Sequence, residues 1–151
     1  MIVSKGVDLL LAAWPLVVAR APKARLIIVG FGTYRQALDR FVEALARRDL
    51  ETLHEIAARG RELEGGPPGE LRYLRSFLAR VTDEWLQVAP AAAARIHFTG
   101  RIEHDDLPAL LPACEAQVMP STFPEAFGMV AAEAAACGAL PLSAGHSGMA
   151  E

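Results

Sequence analysis

Two carboxylates draw attention through their setting. Glu125 and Glu133, with seven residues between them, lie in Ser121-Thr122-Phe123-Pro124-Glu125-Ala126-Phe127-Gly128-Met129-Val130-Ala131-Ala132-Glu133. Ahead of this stretch, Ala116-Gln117-Val118-Met119 reads as a short strand. After Pro124, an Ala-rich run to Cys137 reads as a helix, stopped by Gly138. The pattern is a strand, a bent loop and a helix N-terminus. The first turn of a helix carries unpaired N–H groups and a partial positive charge, which suits a phosphate. Gly128 lets a ligand come close to the backbone. Eight residues of pure helix would set the two acids about 12 Å apart, one near each end of a group bound at the helix start. A long polar ligand with a phosphate centre and hydroxyls at both ends fits that spacing. A sugar nucleotide is such a ligand.

The elements that must position these residues alternate between strand and helix. Met1-Ile2-Val3-Ser4 is short and apolar and reads as the tail of a strand. A helix follows from Lys5-Gly6-Val7-Asp8 to about Ala21, with Leu9, Leu10, Ala13, Leu16 and Val17 at helical spacing and Pro22 as its stop. Lys5 stands just ahead of that helix, where a cation can meet an anion held over a sheet edge; it also reads as a solvated lysine. Arg25-Leu26-Ile27-Ile28-Val29 is a β-branched run expected to be buried on both faces, as in a parallel sheet. Gly30-Phe31-Gly32-Thr33 follows, with a helix from about Tyr34. A dinucleotide fingerprint would need a third glycine at position 35, which is Arg35. Gly30 and Gly32 therefore read as a tight strand-to-helix turn lining a ligand cleft.

Gln36 to about Ala94 is longer than one crossover requires. Phe41, Leu45, Leu50, Leu53, Ile56 and Ala57 suggest one or two amphipathic helices. Gly65-Gly66-Pro67-Pro68-Gly69 breaks them, and apolar spacing then predicts a single helix over Glu70–Val88. This stretch reads as an inserted helical hairpin, either a packing and interface element or a lid. Further strands are expected at Arg95–Gly100 and Ala139–Ser143, with a short acid-led helix at His104–Leu111 between them. The fold class is therefore α/β: a Rossmann-like parallel sheet with flanking helices plus the insert, in one partial domain over 1–151. His97 and His146 read as structural and turn residues.

Composition narrows the options. The 151 residues carry a net charge of −3, with 52% hydrophobic and 22% charged residues. No basic footprint for nucleic acid is visible. No apolar run is long enough for a membrane span, and no signal peptide is read, so a cytoplasmic protein is expected. Cys114 and Cys137 are expected to be buried free thiols. The four histidines show no ligand spacing with the cysteines, so no metal is expected.

The stretch Pro124-Glu125-Ala126-Phe127-Gly128-Met129-Val130-Ala131-Ala132-Glu133-Ala134-Ala135-Ala136-Cys137-Gly138 resembles the E-x7-E motif of glycosyltransferase family 4. These are retaining enzymes of the GT-B fold, with two Rossmann-like domains, the C-terminal one holding a nucleotide-diphosphate sugar. The resemblance implies roles for particular residues. Lys5, followed by Gly6, would contact the donor diphosphate. Glu125 would accept from sugar hydroxyls, and Glu133 from the ribose. The backbone of Ala126, Phe127, Gly128 and Met129 would hold a phosphate or the sugar. Gly30 and Gly32 would line the cleft, and Arg101 and Ile102 would border the base through their backbone. No cofactor or metal is implied, because no Asp-x-Asp triplet appears.

The family domain has a first strand ahead of the lysine, an arginine on the same loop, further elements after Glu151 and an acceptor domain. The chain accordingly reads as a fragment that transfers no sugar alone. Its partners would be a nucleotide-sugar donor and an acceptor, with self-association through the insert or an exposed sheet as an option. Two alternatives stay open: a non-catalytic nucleotide-binding or interaction module, and a sugar-nucleotide epimerase on the same fold. A phosphorylase would need a pyridoxal-phosphate lysine, and neither Lys5 nor Lys23 sits in such a site.

Overall fold

The structure, a computed structural model, describes residues 1–124 and 128–146. The protein is α/β, built of short parallel strand pairs with flanking helices. It divides into two units, one formed by Met1–Val3 with Val7–Gly100, the other by Ser4–Gly6 with the chain from Arg101 onward.

The first unit is mostly helical. Helix α1 spans Val7–Arg20 and buries Leu11, Ala12, Trp14, Pro15 and Val18. Strand β1 is Leu26–Val29, and α2 is Arg35–Arg47, whose buried residues Ala37, Leu38, Phe41, Ala44 and Leu45 recur every three to four positions along one face. Helix α3, Leu50–Arg59, starts at Asp49, whose carboxylate accepts from the Thr52 amide at 3.0 Å and from the Thr52 hydroxyl at 2.6 Å. The hydroxyl bond is the larger reason that the Asp49 carboxyl is held below its ordinary value.

The run expected as one helix over Glu70–Val88 is two helices, α4 at Arg72–Leu78 and α5 at Asp83–Ala93. Thr82 is the reason for the break. Its extended backbone starts α5, and its hydroxyl accepts from the Trp85 amide at 3.3 Å. Apolar spacing persists across the break, so periodicity alone did not reveal it. Helix α5 packs on both α1 and α2, where its buried Ala89, Ala92 and Ala93 allow close approach. Trp85 anchors it: the indole N–H donates to the Ala12 carbonyl at 2.9 Å, and Phe77 meets the ring edge-on.

Strand β2, Ile96–Gly100, pairs in parallel with β1, Leu26 opposite Ile96 and Ile28 opposite Phe98. Burial of β1 on both faces does not occur. Leu26 and Ile28 are buried, whereas Ile27 and Val29 are 41% and 39% exposed. The helices of this unit cover one face of the pair, so the β-branched run alternates in burial.

The second unit holds a four-residue helix α6, Leu107–Leu110, between 3-10 turns at His104–Asp106 and Leu111–Ala113. Strand β3, Ala116–Met119, pairs in parallel with β4, Leu140–Ser143, and α7, Met129–Ala136, packs on both. Among its described residues few apolar ones are buried: Leu111, Ala134 and Ala139. Cys114 and Cys137 are free, but half-buried rather than buried. The Cys114 thiol lies 3.6 Å from the Leu110 carbonyl.

Among the described residues the two strand pairs are separate sheets. In a doubly wound sheet of order 3-2-1-4-5-6, the first strand joins the second-and-third pair to the fourth-and-fifth pair. The segment expected to supply the tail of that strand is instead a 3-10 turn at Val3–Lys5. Its Val3 amide donates to the Glu64 carboxylate at 2.7 Å rather than to a strand neighbour.

Candidate functional site

The second unit gathers the Ser4–Gly6 segment, the loops that follow β3 and β4, and a helix start. The first is Ser4–Gly6. The Ser4 carbonyl accepts from the Thr122 amide at 2.9 Å, the Ser121 hydroxyl at 3.1 Å and the Thr122 hydroxyl at 3.3 Å. One carbonyl thus ties the segment before α1 to the loop after β3. Gly6 is required there. Its φ is +66°, and a Cβ placed on it would overlap the carbonyl of Pro120. A glycine after Lys5 is therefore what allows the two backbones to meet.

The second loop is Pro120–Pro124. Ser121 is buried, and its hydroxyl also reaches the Phe123 carbonyl at 3.2 Å. The third follows β4, where the Ala144 amide donates to the Met119 carbonyl at 3.1 Å and the His146 ring meets the Ser121 carbonyl. Helix α7 begins with Gly128 in the left-handed region, φ +65°, as its N-cap. The Ala131 amide closes the first turn onto the Gly128 carbonyl at 2.8 Å; the first amides of a helix have no partner within the helix itself. The helix thus starts at Met129, a few residues after the point expected from Pro124. A left-handed glycine followed by a helix start can present several N–H groups to one anion.

The residues singled out by sequence fall as follows. Lys5 is exposed on the clamped Ser4–Gly6 segment, so the fold brings its backbone beside the loop leading to α7, although more than a hundred residues separate the two in sequence. Gly128 caps α7, Met129 is its first residue and 62% exposed, and Glu133 is half-buried in its second turn. Arg101 is exposed and its guanidinium is held by the Glu103 carboxylate, Nε to Oε1 at 2.8 Å, with Ile102 half-buried beside it. Gly30 and Gly32 belong to the first unit, where the Gly30 amide donates to the Gly100 carbonyl at 2.8 Å and the Gly32 carbonyl accepts from Arg35 at 3.1 Å at the start of α2. Glu125, Ala126 and Phe127 lie outside the described residues, as does Glu151. Sequence reasoning missed the buried Ser121 and the contact made by His146. Only the strand-end position of each could have signalled them.

No group of three or more His, Cys, Asp or Glu residues poised to hold a metal occurs among the described residues. No described helix is long and apolar enough to cross a membrane.

Residues 91–151 match a family model described as Glycosyl transferases group 1. The match runs from the end of α5 through both strand pairs' later members and α7, and it supports glycosyltransferase activity in general, with a sugar donor and an acceptor as substrates. Lys5 lies outside the matched span and enters the same unit through the Ser4 clamp. No curated protein and no solved structure matches the chain.

Proposed function

We propose that the chain is the donor-binding part of a retaining glycosyltransferase resembling family 4, and that it holds a nucleotide-diphosphate sugar whose acceptor is bound by another domain. Lys5 offsets charge on the diphosphate as the leaving group departs. The first-turn amides of α7, with Phe127 and Gly128, hold a phosphate or the sugar. Glu125 accepts from sugar hydroxyls and Glu133 from the ribose, while Arg101 and Ile102 border the base through backbone groups. Gly30 and Gly32 line the strand-to-helix turn. The field of a lysine and a helix terminus takes the place of a metal.

One observation carries this reading. The unit that contains residues 101–151 of the glycosyltransferase match also draws in Ser4–Gly6, so that a cationic segment adjoins the loop feeding the N-terminus of α7. Calorimetric titration of the chain with uridine, guanosine and adenosine diphosphates tests it. One of the three should bind, and Lys5→Ala should weaken that binding at least about tenfold, the scale of one lost charge-assisted contact. Absence of heat from all three would overturn the reading.

A further inference from the structure

His146 does more than fill a turn. Its Nε2 lies 2.8 Å from the Ser121 carbonyl oxygen, a contact between loops that follow two different strands. A carbonyl can only accept, so Nε2 carries the proton and donates. The histidine is itself held in place: its own amide donates to the Ala144 carbonyl at 2.8 Å, and the Ala144 amide donates to Met119 at the end of β3. On the far side of Ser121, the residue's hydroxyl and its neighbour's amide both reach Ser4. The Ser121–Phe123 loop is therefore gripped from both flanks, by the segment carrying Lys5 and by the loop after β4.

We infer that His146 is a positioning residue, a latch that fixes the Ser121–Phe123 loop and so sets how tightly the adjoining site binds a nucleoside diphosphate. The second half rests on the donor-binding reading above; the first half does not. The physical need is clear. Among its described residues this unit buries few apolar ones, so a short chain of hydrogen bonds is what holds the loop there. Pre-ordering a loop removes an entropy cost from binding.

Glutamine offers an amide N–H at nearly the reach of imidazole Nε2, and alanine offers none. The test compares the chain with His146→Ala and His146→Gln by amide hydrogen exchange at Thr122 and by titration with uridine, guanosine and adenosine diphosphates. The expected result is Thr122 exchange at least tenfold faster in His146→Ala, affinity about tenfold weaker, and both restored in His146→Gln, with the thermal transition of the helical unit unmoved. Unchanged Thr122 exchange in His146→Ala would overturn the latch. Faster exchange with unchanged affinity would overturn its effect on binding. If the unaltered chain binds none of the three nucleotides, the donor reading fails, while faster Thr122 exchange rescued by glutamine would still uphold the latch.

Discussion

The two units are held together by different means. The first buries a continuous apolar cluster that includes Leu11, Phe41, Leu38, Leu45, Ile56 and Trp85. Its polar bonds decorate that cluster: Arg40 with Glu55, and Arg59 with Glu55 and Glu62, are surface pairs of small worth. The second buries little, exposes Phe123, Met129 and Leu140, and ties its loops through backbone and side-chain hydrogen bonds around Ser4 and Ser121. Residues 101–151 of the glycosyltransferase match fall in it, and residues 91–100 fall in the first. Buried apolar packing is thus concentrated in the first unit, whereas the loops of the second, where parallel α/β folds commonly carry function, are ordered by hydrogen bonds.

Three substitutions sharpen or break this contrast. Trp85→Ala should have the largest effect. It empties a site buried to 3% exposure and removes the indole donor to the Ala12 carbonyl, at a cost of about 3–5 kcal/mol. Chemical denaturation should show that loss. If the division of labour holds, nucleoside diphosphate affinity measured well below the transition should stay as it was.

Asp8 should come next, with a pH signature. It is 3% exposed, its Oδ1 has no hydrogen-bond partner, and burial, aided by the nearby Glu64 charge, raises its pKa from 3.8 to about 6. Tyr34, also buried with an unpartnered hydroxyl, is pushed upward by burial and by the Asp8 and Glu64 charges. The folded state holds the Asp8 proton more tightly than the unfolded state does. This group's contribution to stability is therefore full below about pH 4 and is lost as pH rises through about 6. Asp8→Asn should match the parent chain at pH 4 and exceed it by up to about 3 kcal/mol at pH 7. Equal pH dependence in the two proteins would show that Asp8 is solvated.

Gly6→Ala should have the smallest effect on folding, about 1–3 kcal/mol for a side chain forced into the left-handed region, and the largest on the second unit's loops. Because the added Cβ overlaps the Pro120 carbonyl, Thr122 should lose its bond to Ser4. Nuclear magnetic resonance shifts confined to residues near Ser4 and Thr122 are the expected outcome. Shifts spread through α2 and α5 would mean the two units do not behave separately.

Much of this was legible in residue order. The strands at Ala116–Met119 and Leu140–Ser143, the helix ending at Gly138 and the amphipathic α2 all follow from runs of apolar residues and the punctuation around them. Periodicity failed at Thr82, where a cap interrupts apolar spacing that continues past it, and at Ile27 and Val29, where a β-branched run gave no sign that one face stays uncovered.

Local order determined which segments become strand, turn or helix, because capping, propensity and periodicity act within a few residues. It also marked Gly128 as a place where close approach to the backbone matters, whereas the need for Gly6 came from the structure. Only the tertiary structure decided that the carbonyl of Ser4 would collect donors from Ser121 and Thr122, and that His146 would reach the Ser121 carbonyl. Those contacts join residues remote in sequence, and their formation depends on where the ends of parallel strands come to rest, which no local pattern encodes.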